Sequence, residues 1–331
     1  MIFYGNTIAP GEKRIVQLPV TEGLSLEAIC ICGAFPGRTL AVTAGVHGCE
    51  YVGIQALLEL AKELDPGRMC GNAVLLPLVN PEGFYDGVKQ VVPEDGINLN
   101  RAFPGDPGGS ISLQMAYILE QALYPAADLL ADLHGGDWNE DLCPLVFFPA
   151  GNCGEVYQAS LEAAKQLKVS YRVRSHARNG LYSWAVQRGI PALLAERGCG
   201  GRWSEKEKED CMEDVRRLLR HLSILPGENE PAVQTEICRA VYAEAKEDGL
   251  WYPCIKAAET VKKGQLLGEL RSMSGQTLQE VRAEFAGVVL YYTTALGVRR
   301  GDPLAAYGES CVMGENVVQL EIICFKNLLN F

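Results

Sequence analysis

Long apolar runs are missing from this chain: no stretch approaches the roughly 18 residues that a membrane-spanning helix needs. An excess of basic residues is missing too. Lys and Arg number 30 against 41 Asp and Glu, a net charge of −11. A broad polyanion-binding surface is thereby excluded, because neutralising phosphates takes grouped Lys and Arg. A local Arg can still hold a small anion on an acidic protein. The opening MIFYGNTIAPGEKR lacks the basic-then-apolar plan of a signal peptide. The 12 cysteines are scattered and form no CxxC, so they read as small core residues in a reducing, cytoplasmic protein. There is no fixed-period repeat and no low-complexity tract.

What is present is an ordinary globular composition, 48% apolar and 21% charged. At roughly 100–200 residues per domain, 331 residues suggest about two domains. From residue 39 to about 224, short apolar runs alternate with amphipathic ones. TLAVTAGV (39–46) reads as a buried strand, and residues 51–64 carry apolar side chains at helical spacing up to Asp65-Pro66-Gly67. AVLLPLV (73–79) is a strand whose Pro77 suggests an edge or a bulge. Helices follow near 111–123, 155–167 and 206–222, with strands near 128–133, 144–150, 169–174 and 192–196. The alternation predicts an α/β fold, a mostly parallel sheet covered by helices on both faces. Residues 81–110 hold no periodic element, and loops of that length in a compact domain are usually functional. LPGENEP (225–231) is turn-rich, and short alternating strands follow it. Residues 1–226 are therefore one domain, and residues 227–331 a small all-β domain.

Three candidate sites each follow a predicted strand. His47 and Glu50 in GVHGCE open a helix, and imidazole with carboxylate suits zinc. His134 in LLADLHGG has Asp132 two residues before it, able to orient a ligand imidazole. Glu196 in ALLAERG ends an apolar strand, where lost solvation raises a carboxyl pKa toward that of a general base. Taken singly, each has a structural explanation: an acid at a helix N-terminus, a turn histidine, a surface ion pair. Their shared position changes this, since ligands bind at the carboxyl ends of strands in open α/β sheets. Two His and one Glu make a three-ligand site with an open fourth position, as in catalytic zinc sites. In the long loop, GINLNRAFPG supplies Asn98, Asn100 and Arg101, and Arg suits a bidentate grip on carboxylate. His176 reads as solvated or substrate-facing. His221, ending a charged helix where a cation is favourable, reads as structural.

Together NPEGF, DGINLNRAFPGDP, GVHGCE and DLHGG resemble the succinylglutamate desuccinylase/aspartoacylase family of the zinc carboxypeptidase superfamily. The NLNRAFPG form is most similar to a bacterial subgroup that includes ectoine-pathway deacetylases. The resemblance implies a zinc carboxypeptidase-like catalytic domain and one zinc ion held by His47, Glu50 and His134. It implies Glu196 as general base and Asn100 and Arg101 as binders of substrate carboxylate. It also implies removal of an acyl group from the nitrogen of an amino acid or related small carboxylate. Nucleic acid and membrane are not expected partners, and homo-oligomerisation is left open. One departure stands out. Aspartoacylase-like members carry an Arg just after the Asn-Pro of the second strand and other relatives a basic residue a little later, whereas Asn80-Pro81 is followed here by Glu82. Lys89 is the nearest basic candidate for the oxyanion, with Arg178 and Arg202 as further candidates.

The C-terminal strands look like the halves of a barrel-sandwich carrier domain. LRSMSGQTLQEV (270–281), at the tip where a carrier has its lysine, contains none. In the family this domain instead covers part of the cleft. Tyr291, Tyr292 and Tyr307 are candidates to reach substrate, although neighbours in a strand face opposite ways. The rival readings are a metallocarboxypeptidase cleaving peptide C-termini and a non-catalytic metal-containing binding protein. An open cleft would favour the first rival, and a roofed one would disfavour it.

Overall fold

A computed structural model describes residues 1–151 and 154–311. It begins with strands the periodicity above did not mark: β1 (Ile2–Phe3), β2 (Asn6–Thr7), and the antiparallel pair β3 (Lys13–Thr21) and β4 (Leu24–Cys32). The alternating part follows as β5 (Phe35–Ala44), α1 (Tyr51–Glu63), β6 (Cys70–Leu76), α2 (Pro81–Asp86) and α3 (Ile111–Leu123). Next come β7 (Leu129–His134), β8 (Glu140–Leu142), β9 (Leu145–Pro149) and α4 (Glu155–Ala164). β10 (Tyr171–Ser175), α5 (Leu181–Gln187), β11 (Ala192–Glu196) and α6 (Glu205–His221) close it. The C-terminal part holds β12 (Thr235–Glu244), β13 (Gly249–Pro253), β14 (Thr260–Val261) and β15 (Leu266–Arg271). It ends with β16 (Thr277–Arg282), β17 (Gly287–Thr293), β18 (Gly297–Val298) and β19 (Pro303–Ser310).

The largest sheet runs β14-β17-β19-β12-β10-β9-β11-β7-β5-β6-β4-β3, with β8 added on β17. Its centre is mostly parallel: β5 pairs in that sense with β6 and β7, β7 with β11, and β10 with β9 and β12. β9 and β11 meet antiparallel. Alternate side chains feed two cores. Leu40, Val42, Ala73 and Leu75 pack beneath α1, α4 and α6, whereas Ala41, Val74 and Leu76 pack with α3 and α5. Helices thus cover both faces. Pro77 proves to end β6, which lies between β5 and β4, so neither an edge strand nor a bulge is needed. The C-terminal strands form a four-stranded antiparallel sheet, β16-β15-β13-β18, and also extend the main sheet through β12.

α6 shows why the polar 205–221 segment is helical. Ser204 accepts from the Glu207 N–H at 3.2 Å, Glu205 and Glu207 occupy the first turn, and Arg220 the last. Burial and the nearby Arg38 charge push His221 below its usual range, which does not favour the cation anticipated at this helix end.

α6 also brings Asp214 to Arg197, next to Glu196: Nε to Oδ2 is 2.6 Å, and both residues are buried. Burial pushes the Asp214 carboxyl up more than the guanidinium pulls it down. Replacing Asp214 by Ala therefore strands a buried guanidinium and is expected to cost about 3–5 kcal/mol. Urea unfolding at unchanged slope measures it, and a loss under about 1 kcal/mol, typical of exposed pairs, would show the pair to be solvated.

The cysteines divide. Cys30, Cys32, Cys49, Cys143 and Cys211 are free and buried, as expected of core residues, but Cys70 and Cys254 are exposed. Cys238 and Cys311 form a disulfide between β12 and the end of β19, with Cα atoms 5.3 Å apart. Spacing could not reveal that pair, because only the β12–β19 pairing brings the two residues together. Cys153 and Cys324 lie outside the described residues. No helix among the described residues is long and apolar enough to cross a membrane.

Candidate metal centre and cavity

β5, β7 and β11 are neighbours in the sheet, so their carboxyl ends form one rim. Ala44 pairs with Leu133, and His134 with Glu196. After β5 the chain turns through Val46-His47-Gly48 into α1. A Cβ at Gly48 would stand 2.1 Å from the carbonyl carbon of Gly83 at the start of α2, so only glycine allows this approach. The turn delivers His47 and Glu50 to the rim, where His134 meets them.

The three residues are buried, and their ligand atoms all lie within 4.8 Å of one another. Glu50 Oε1 is 2.7 Å from His47 Nδ1, and Oε2 is 2.9 Å from His134 Nδ1. Gly135 N–H donates to Glu50 Oε2 at 3.1 Å. The other ring nitrogens are occupied. His134 Nε2 donates to Asp132 Oδ2 at 2.9 Å, Asp132 is itself held by the Thr43 hydroxyl at 2.7 Å, and His47 Nε2 donates to Asn98 Oδ1 at 3.2 Å. Each imidazole thus directs Nδ1 inward and anchors Nε2 outward, the arrangement that orients metal-binding histidines. The charges follow. Burial would raise Glu50, but His47 and His134 hold it at about 2. Burial would lower His134, but Asp132 and Glu50 push it well up.

Glu196 stands beside this cluster. Its Oε2 atom is buried and without a hydrogen-bond partner among the described residues. Burial, then the charge of Glu50, push its carboxyl well above the usual range. All four residues line one cavity of about 780 Å³.

The long loop forms another wall. Asn98 accepts from the Asn100 N–H at 2.9 Å, starting a short turn at Leu99–Arg101. Asn100 Oδ1 accepts from Leu181 N–H at 3.0 Å, which fastens α5. A Cβ at Gly180 would sit 2.4 Å from that oxygen. Asn100 therefore builds the wall with its oxygen and has its amide nitrogen to offer a ligand. Arg101 lines the cavity, with Nη1 donating to its neighbour's carbonyl at 2.7 Å.

Other anticipated residues lie elsewhere. Lys89 is not part of the lining; its Nζ sits 3.5 Å from Asp137 and 3.8 Å from Glu140. Arg178 and Arg202 are exposed and outside the lining, whereas His176 lines it. Tyr291 faces the cavity; Tyr292 packs against the C-terminal core and Tyr307 is buried within it. Sequence reasoning missed Glu140, Arg174, Tyr182 and Tyr242. Tyr182 presents a buried hydroxyl with no hydrogen-bond partner among the described residues. Only α5, which has no clear periodic signature, could have drawn attention to it.

Comparison with known proteins agrees with this geometry. Residues 36–222 match the succinylglutamate desuccinylase/aspartoacylase catalytic domain. The N-alpha-acetyl-L-2,4-diaminobutyric acid deacetylase of Halomonas elongata is 30% identical over 313 residues, 90% of this chain and 91% of that protein. The product-bound ectoine utilization protein EutE (DoeB) of Ruegeria pomeroyi superposes with a TM-score of 0.80 at 27% identity, covering 91% of this chain and 97% of that one. A succinylglutamate desuccinylase/aspartoacylase of Rhodobacter sphaeroides gives 0.80 at 25%, covering 90% and 95%. From the strand-end His-Glu-His cluster to the matched domain around it, this chain belongs to the succinylglutamate desuccinylase/aspartoacylase family.

Proposed function

We propose that the protein is a zinc-dependent deacylase of N-acyl amino acids, with Nα-acetyl-2,4-diaminobutyrate as the leading substrate. The observation that carries this reading is the convergence of His47, Glu50, His134, Glu196 and Arg101 on one cavity. Two inward Nδ1 atoms and a carboxylate are a donor set that suits zinc, and the unpartnered Glu196 oxygen beside them suits a water-activating base. His47, Glu50 and His134 would hold the ion. When bound, zinc acidifies water and polarises a carbonyl.

The chain's own groups do the rest. Glu196 Oε2 accepts the proton of the attacking water as its hydroxyl adds to the acyl carbon, then delivers that proton to the amide nitrogen, so that the C–N bond breaks and the amine leaves as the adduct collapses to the acid. Its raised proton affinity suits both halves of that transfer. Arg101 and the Asn100 amide nitrogen grip the carboxylate of the amino acid. Residues before 227 supply these groups, and the described residues after it wall the cavity through β12, Tyr291 of β17 and Ala305 of β19. That wall disfavours the carboxypeptidase alternative, which needs room for a peptide.

A hydrolysis panel tests the reading. N-acetyl amino acids are expected to be cleaved, and their carboxamide counterparts much more weakly, because the charge-assisted bond to Arg101 is lost, a change of about 10–100-fold. Absence of turnover on every N-acyl amino acid with zinc bound would contradict it and favour a binding protein.

A further inference from the structure

The reaction described above leaves two carboxylates of the cavity without a task, the exposed Glu244 of β12 and the more enclosed Glu140. Glu140 lines the same cavity as Glu196, its side chain 11% exposed. It is placed there by the C-terminal unit: β8 pairs with β17, setting Glu140 opposite Thr293, while Thr294 N–H donates to the Asn139 carbonyl at 2.7 Å. β17 also carries Tyr291 into the cavity.

The charges around Glu140 do not balance. Asp137, fully buried behind it, accepts from Cys49 Sγ at 3.0 Å and Gln90 Nε2 at 2.8 Å and lies 3.5 Å from Lys89 Nζ. The same Lys89 reaches Glu140 Oε1 only at 3.8 Å, beyond hydrogen-bonding distance. Glu140 Oε2 accepts from Asp137 N–H at 3.3 Å. Two buried carboxylates therefore share one ammonium. Burial, and next the charge of Asp137, push Glu140 up to about 7. The cations of the lining are mostly spent: Arg174 on Glu236 at 2.6 Å, Arg239 on Glu284 at 2.9 Å. Arg101 has no ion pair among the described residues. Glu244 is exposed to solvent and Glu196 serves the reaction, so the cavity offers one guanidinium for an anion and, in Glu140, an enclosed and under-neutralised carboxylate for a cation. A molecule with a carboxylate, an acylated nitrogen and a second amine matches this pattern.

We propose that Glu140 is a specificity-determining residue that receives a second, cationic amine of the substrate, so that the enzyme selects N-acylated diamino acids over analogues with neutral side chains. The assignment rests on the deacylase reading. The simpler role, a partner for Lys89 that secures β8, predicts no dependence on substrate charge.

Steady-state kinetics on Nα-acetyl-2,4-diaminobutyrate and Nα-acetyl-2-aminobutyrate, which lacks the second amine, separates the two roles. Wild type is expected to favour the first in kcat/KM by about 10–100-fold, the range of a hydrogen bond to a charged group. Glu140→Gln should collapse that ratio, chiefly through KM for the cationic substrate, and Glu140→Asp should restore part of it. A ratio near one in wild type overturns the assignment without any variant, so a misfolded Glu140→Gln does not protect it. An equal loss on both substrates in Glu140→Gln overturns it as well. Wild type that cleaves neither substrate overturns this assignment, and the deacylase reading falls with it only if every other N-acyl amino acid of the panel is also left intact; turnover with an unmoved ratio overturns this assignment alone.

Discussion

Glutamine at position 196 is expected to lower kcat by about 10²–10⁴-fold, the usual contribution of a positioned acid–base group. The substitution keeps the shape of the side chain and removes only its ability to take a proton. Glu196 pairs with His134 in the strand register but lies outside the cluster formed by His47, Glu50 and His134. Metal content should therefore stay at the wild-type level while turnover falls. Stability should hold or rise, because the change removes a buried carboxylate that faces the charges of Glu50 and Glu140. Rate, zinc content and thermal midpoint measured on one preparation check all three. A kcat within a few-fold of wild type would remove Glu196 from the reaction.

Metal removal is expected to have a still larger effect, with no measurable turnover after dialysis against a chelator. Glu50 carries the strongest argument. Burial works against the ionised form of this carboxylate, and the contacts to His47 and His134 at 2.7 and 2.9 Å hold it down at about 2. A divalent ion fills that role with greater charge and, through Nδ1 of His47 and His134, with defined directions. Adding one equivalent of zinc should restore activity. Magnesium should not, because it prefers oxygen ligands to imidazole. Full activity in the chelated protein would leave the cluster as a hydrogen-bonded network alone.

Much of this arrangement could be read from the chain because the relevant signals are local. The α1 and α3 segments have apolar residues at helical spacing, and β11 is a compact apolar run that ends at Glu196. Strand ends are sequence features, and a parallel sheet turns them into neighbours, which is how His47, His134 and Glu196 could be linked before any coordinates. What escaped depends on distant pairing. The three residues of β8 acquire strand geometry from β17, some 150 residues away in the chain, so nothing near Glu140 announced it. α5 is only seven residues long, and Asn100 from the preceding loop secures its start. The β3–β4 hairpin presents one largely exposed strand, and its alternation is weak beside the buried runs that follow. Lys89 is the nearest base along the chain to Asn80-Pro81, but in space Asp137 and Glu140 claim it.

Zinc titration of the chelated protein, with and without His134→Ala, probes most directly the idea that two imidazoles and one carboxylate meet around a single ion. The account predicts one tightly held equivalent per wild-type chain and none in the variant. Stoichiometric, equally tight binding by His134→Ala would contradict it.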